Sequence, residues 1–388
     1  MPLETALTFC QFDRISHLTP GQWNTLSATD NPFLGWHFLN NLETHVDLEA
    51  HGWIPCHSVA FRNGIPVAAI PLYIKTNSHG EFVFDYMIAD ACYRTGLDYY
   101  PKLVSAIPFT PVTGPRLLHA PDLDDAENIS RQLLQYVREW CTEQAMSSLH
   151  LLFCDETTLN APATDFLLSR FTWQYHWTNR GYDSFDDFLQ HLTARRRKQI
   201  RRERRSVAEQ NIAVEILEGE DISAAHWGVF YDFYCSTFER KWGEPRFTLP
   251  FFEALTRDMP EAITLFLARH KGRYVAGSFT MKSARILYGR HWGCNGWFPN
   301  LHFELCYYQT IDYCIRKRLC CLDAGVQGEH KLLRGFLPVR ATSMHWFSHP
   351  EFMRVVEDFF NRESSHVNAQ IAALTRHNAY NSRMEPGK

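Results

Sequence analysis

The sequence has no C-x-x-C pair, and its eleven cysteines follow no regular spacing. That leaves no basis for a disulfide framework or a zinc ribbon, and reduced thiols are expected. No apolar run approaches the roughly 18 residues of a membrane span. MPLETALTFCQFDR lacks the basic start and apolar core of a signal peptide, so a cytoplasmic location without a membrane span is expected. G-x-S-x-G, H-E-x-x-H, a Walker loop and a post-strand G-x-G-x-x-G are all missing. Chemistry without a metal, a permanently bound cofactor or an enzyme-bound intermediate fits these absences best. Net charge is also small, at a formal minus four, which on its own points to no nucleic-acid partner.

The chain does have 388 residues with 45% hydrophobic content, too many for one core. Two domains are expected, 1–175 and 176–388. Charge is unevenly spread. Arg195, Arg196, Arg197, Lys198, Arg201, Arg202, Arg204 and Arg205 crowd one segment with Glu203 as its single acid. Such a run suits phosphates, which makes Arg197, Lys198 and Arg201 candidate contacts for a phosphate-bearing ligand. The stripe Phe188, Leu189, Leu192, Ile200 and Val207 places them on one helix, with Asp183, Ser184 and Asp186 as candidate N-caps.

An internal repeat organises the chain. CHSVAFRNGIPVAAIPLYIK holds two β-rich runs joined at Asn63-Gly64, a strong hairpin signal. Shifted by 208, TLFLARHKGRYVAGSFTMKS sets Ala268 on Ala60, Gly272 on Gly64, Val275 on Val67 and Ala276 on Ala68. In each half a helix and strand follow: Leu133, Leu134, Val137 and Trp140 before 149–154, and Leu301, Leu305, Tyr308, Ile311 and Ile315 before 319–322. Two α/β units with mixed sheets are expected. The first half carries about 40 extra residues within 76–120. A stretch that long suggests either binding or an extra packed hairpin, and Glu81, Asp85, Tyr99, Tyr100, Lys102 and Arg116 are its candidate substrate contacts. The tail beyond Asn361 is expected to fray.

Asp323-Ala324-Gly325 ends the last strand of the second half, and the following loop is crowded with function: Gln327, Glu329, His330, Lys331 and Arg334. Loops at strand ends commonly carry the chemistry of α/β proteins. Glu329 or His330 is the expected base and Lys331 the cation for a developing oxyanion, unless Glu329 and Lys331 merely pair. Arg290, His291 and Trp292 end a neighbouring strand and are expected to line a donor cleft. Glu304 near its helix start reads as a cap, and Cys320 and Cys321 as buried strand residues.

The basic run, Pro299-Asn300-Leu301, Leu322-Asp323-Ala324-Gly325 and Lys331-Leu332-Leu333-Arg334-Gly335-Phe336 resemble the FemAB-like branch of the GNAT acyltransferase superfamily. Trp36-His37-Phe38-Leu39, Tyr99-Tyr100-Pro101-Lys102-Leu103, Pro108 to Arg116, Arg290-His291-Trp292-Gly293 and Gln327 to Lys331 are similar to a bacterial subgroup of predicted N-acyltransferases within it. The resemblance spans roughly residues 30 to 362. It implies two tandem GNAT-like domains and an N-acyl or aminoacyl transferase, with acyl-CoA or aminoacyl-tRNA as donor co-substrate and an amine as acceptor. In the family an F-K-x-G-F-like segment places a basic residue at the reaction centre. Here Lys331 or Arg334 could hold that place, and no Phe precedes Lys331. The alternative implied is a non-catalytic binder of a phosphorylated ligand or tRNA.

Overall fold

The computed structural model describes residues 6–27, 29–240 and 243–381. Its strands are β1 (Leu7–Phe12), β2 (Trp53–Pro55), β3 (His57–Arg62), β4 (Ile65–Ile70), β5 (Tyr73–Lys75), β6 (Lys102–Ser105), β7 (Leu118–His119), β8 (Ser148–Cys154), β9 (Leu168–Thr178), β10 (Ile212–Glu218), β11 (Ile263–His270), β12 (Arg273–Lys282), β13 (Ile286–Cys294), β14 (Cys321–Asp323) and β15 (Leu337–Phe347).

The chain divides into two units, Met1–Thr172 with Arg340–Asn368, and Trp173–Val339 with Ala369–Lys388. A single cut at residue 175 puts 340–368 in the second unit; their contacts put them in the first. The reason is strand pairing: Thr342 to Phe347 of β15 lie antiparallel to β8. The helix Pro350–Arg376 then continues unbroken through the tail that the sequence reads as frayed. Phe352, Val356 and Phe360 on one face of it bury against Ile88, Cys92 and Tyr99.

In the first unit β1-β3-β4-β7 form one antiparallel sheet, and β15, β8, β6, β5 and β2 follow one another in a mixed one. In the second unit the order is β10-β11-β12-β13-β14-β9. Each mixed sheet contains one parallel pair, β6 with β8 and β13 with β14. Each is reached through a helix, Ala126–Glu143 in the first unit and 301–316 in the second. The expected tandem α/β architecture is therefore present.

The 208-residue repeat has a physical meaning in the hairpins. Asn63 and Gly64 both have positive φ, as do Lys271 and Gly272, the signature of a tight two-residue turn that matches strand twist. Ala60 pairs with Ala68 and Ala268 with Ala276. Directly beside each pair the register slips by one residue, and the unpaired residues are Val67 and Val275. The four matched positions are thus the turn glycine, the bulged valine and an alanine pair buried in the core of each unit.

Two local expectations differ. The basic segment and its predecessor are two helices, Phe185–Gln190 and Ala194–Glu209. Ser184 caps the first by accepting from Asp187 N at 3.1 Å. The break is held by Arg197, whose guanidinium donates to the carbonyls of Leu189, Gln190 and Leu192, and by Thr193 N donating to Ala379 O at 2.9 Å. Strand β14 starts two residues later than the apolar run does. Arg318, at φ 56°, ends the preceding helix in the left-handed region, and Leu319 N bonds back to Cys314 O, so the turn consumes those residues and leaves Cys320 exposed.

Candidate functional site

The parallel strands β13 and β14 pair only as far as Tyr288 and Asp323. Beyond that rung Gly289 to Trp292 and Ala324 onward part, and a cavity of about 510 Å3 lies among them. In the first unit the same place is filled. Past the β6–β8 pairing, Gly114 bridges Cys154 in parallel, donating to Phe153 O while its own carbonyl accepts from Asp155 N. Arg116, fully buried, locks that plug by donating to the carbonyls of Leu152, Val112 and Pro115.

The wall of the second-unit cavity is set by close packing of β13 on the helix Ala224–Glu239. A Cβ on Gly293 would stand 2.0 Å from Phe233 O, so only glycine allows that approach. Thr237 Oγ1 donates to Trp292 O at 3.0 Å across the same contact. The floor comes from the helix Leu301–Arg316, whose middle, Glu304–Tyr308, is π-helical. The widened turn, a feature common at functional sites, buries two consecutive tyrosines in different places. Tyr307 faces the cavity and bonds His330 Nε2 at 2.9 Å. Tyr308 faces Glu203 and Arg334.

Lys331 lines the cavity and is 6% exposed. Its Nζ donates to Ala324 O at 2.5 Å and lies 5.6 Å from the centre of the Tyr175 ring. Burial brings its pKa down to about 8; Asp323 pulls the other way, and Arg290 adds to the drop. His330 also lines the cavity, and burial, then the nearby Arg334 and Lys331 charges, hold its imidazole below the ordinary histidine value. Arg290, His291 and Trp292 line it too. Arg290 is buried with Asp323 Oδ2 3.9 Å from Nη2. Burial takes His291 down to about 3, so its ring is neutral. Gly328, at φ 103°, is packed so that a Cβ would meet the His330 ring at 2.7 Å.

Two loop candidates lie elsewhere. Glu329 is exposed and does not line the cavity. Arg334 is buried and spent: Nη2 reaches Glu203 Oε1 and Oε2 at 3.0 and 2.9 Å, and Nε donates to Tyr308 at 2.9 Å. Its guanidinium also covers Phe303 at 3.5 Å. Glu304 is no simple cap. It is buried and accepts from Arg204 at 3.1 Å and Gln309 at 2.7 Å.

On the basic helix, Arg197 is committed to the helix break, whereas Lys198 and Arg201 are exposed, with Arg201 3.3 Å from Asp186. The expected substrate contacts of the first unit bind one another. Lys102, 1% exposed, is held by Glu81 at 2.9 Å and Asp85 at 2.5 Å, and the Tyr99 hydroxyl donates to Asp85 at 2.7 Å. Tyr100 bonds Ser78 at 2.6 Å. A buried lysine and two buried carboxylates are stable only when so paired, and that gives the 76–120 stretch a packing role.

Sequence reasoning missed Tyr307, Ser278, Cys306 and His302, which all line the cavity. A regular helical stripe selects Tyr308, and only the π turn brings Tyr307 round. Cys306 is no nucleophile in this state, since burial pushes its thiol up to about 12. Among the described residues no group of three or more His, Cys, Asp or Glu could hold a metal ion, and no helix is long and apolar enough to cross a membrane.

Comparison with known proteins adds the following. A solved conserved protein of unknown function from Bacteroides thetaiotaomicron has a similar structure, with TM-score 0.53, 11% identity, and coverage of 88% of this chain and 100% of the other. FemX is similar at TM-score 0.47 and 12% identity, over 80% and 92% of the two chains. A tandem GNAT protein from the clavulanic acid biosynthesis pathway is similar at 0.42 and 11%, over 89% and 99%. No curated protein matches the sequence. The FemAB-like family, described by its role in peptidoglycan biosynthesis and recognition, matches residues 14–382, and with nearly the whole chain so matched this protein belongs to that family.

Proposed function

We propose that the second-unit cavity transfers an acyl or aminoacyl group from an activated donor to an amine by direct attack. The observation that carries this is the placement of a buried lysine and a neutral histidine side by side in an open cavity where two parallel strands part. An amine attacking an ester or thioester must lose a proton while the carbonyl oxygen becomes negative. His330 accepts the amine proton, with Tyr307 fixing its ring through Nε2. The Lys331 ammonium donates to the oxyanion. A C–N bond forms, the C–S or C–O bond to the leaving group breaks, and the proton passes from His330 to the departing sulfur or oxygen.

Acyl-CoA and aminoacyl-tRNA both carry phosphates, and the exposed Lys198 and Arg201 suit either. The acceptor is an amine, consistent with a family associated with peptidoglycan. Mass spectrometry of the purified protein for co-purified CoA, acyl-CoA or aminoacylated RNA, followed by turnover with a panel of amines, tests the proposal. Turnover that is lost in Lys331→Met supports it. A ligand held with no turnover on any donor and amine favours the non-catalytic binder and overturns the transfer mechanism.

A further inference from the structure

The 76–120 stretch of the first unit carries a helix with two apolar sides, and one of them is bare. Eight large apolar side chains are exposed among the described residues, and five of them come from two elements packed together. Phe84, Tyr86, Met87 and Tyr93 lie on or just before the helix Tyr86–Arg94, and Val355 lies on the helix Pro350–Arg376. These five are between 52% and 71% exposed. The other side of the short helix, Ile88, Ala89 and Cys92, is already buried against Phe352 and Val356, on either side of Val355 in sequence. A helix that is apolar all round is one that is covered all round. Its base is held in place: Asp85, just before the helix, is bound by Lys102 and Tyr99, and the Phe84 and Tyr86 rings stack with centroids 6.4 Å apart. Little order is therefore lost when the bare side is covered.

Charge and area say what covers it. The ionic side chains exposed on the short helix are Asp90 and Arg94, which pair with each other at 2.7 Å, so this side is electrically balanced. Around Val355 the exposed Glu351, Glu357 and Asp358 outnumber Arg354, the reverse of what a bilayer surface attracts. A balanced apolar face suits a copy of itself, because a twofold contact sets the same patch on both chains. At about 200 Å2 for a whole large side chain, the exposed parts of these five would together bury roughly 1,100 Å2 across two copies, just past the ~1,000 Å2 that a specific interface needs. We propose that this face is a twofold interface between two copies of the chain. It lies within the first unit and stands apart from the chemistry of the second-unit cavity.

Sedimentation velocity of the full-length protein from about 1 to 100 µM should show a monomer–dimer equilibrium, as a contact near the lower size limit gives. Met87→Lys should leave the melt unchanged and weaken the dimer by about tenfold or more. Asp90→Arg alone and Arg94→Asp alone should each be monomeric, since like charges then meet across the twofold, and an equimolar mixture of the two should dimerise again. The mixing result decides even where Met87→Lys disturbs the fold. A wild-type chain that is monomeric throughout the range, a dimer that Met87→Lys leaves intact, or a mixture that stays monomeric overturns the proposal. So does a monomer that co-sediments with phosphatidylcholine vesicles until Met87→Lys releases it, which would assign the face to lipid.

Discussion

Arg334 and Glu203 form a two-oxygen ion pair at 2.9 and 3.0 Å, tying the loop after β14 to the one acid within the basic run 195–205. Tyr308 joins both, and Gln199 donates to the same glutamate at 2.8 Å. The pair is nearly solvent-free, so removing one partner strands the other charge. Glu203→Ala should cost about 3–5 kcal/mol, read as a fall in urea midpoint with little change in slope. A loss below about 1 kcal/mol would show the pair to be open to water.

Lys331→Met should cut turnover about 100- to 1,000-fold, as loss of an oxyanion donor does, while leaving the melting temperature unchanged or raised. A partly desolvated cation is being replaced by an apolar side chain of similar shape. Undiminished turnover in a folded variant would remove Lys331 from the reaction centre.

The pH–rate profile should be bell-shaped. His330 must be neutral to accept a proton, and its pKa lies below 6.5, so the acid limb falls below that value. Lys331 must be charged, so the alkaline limb falls at about 8. Stability moves with the opposite logic for Lys331. Its folded pKa of about 8 lies below the ordinary 10.5, so between those values the unfolded chain binds more protons, and this residue adds stability as pH rises through that window. Kinetics and thermal melts across pH 5–10.5 check both.

Lys198→Ala with Arg201→Ala should leave the melt nearly unchanged and lower the salt slope of tRNA binding by about 1 to 2. Arg197→Ala should instead destabilise, because its guanidinium satisfies three carbonyls at the helix break. An unaltered slope in the double variant would mean these cations do not touch phosphate.

Gly293→Ala should destabilise by roughly 3 kcal/mol or more, since its Cβ would collide with backbone at Phe233 that cannot rotate away. Gly272→Ala, where a Cβ meets nothing within 4 Å but φ is +77°, should cost less, about 1 kcal/mol. Equal melts for the two would contradict the packing of β13 on its helix.

Local pattern was enough for the architecture. Turn glycines at 64 and 272, bulged valines at 67 and 275, and the alanine pairs beside them are short-range features, so a single chain displays them and their repetition exposes the doubled unit. The loop that carries His330 and Lys331 likewise shows its crowding of polar groups in the sequence alone. Local pattern could not say which cation of that loop lines the cavity, because Arg334 is claimed by a glutamate 131 residues upstream while Lys331 reaches the cavity wall. Nor could it show that Lys102, Glu81 and Asp85 neutralise one another, or that a π turn brings Tyr307 to His330. Charge pairing inside a core is decided by which groups lose water together, and that is fixed only when distant segments pack.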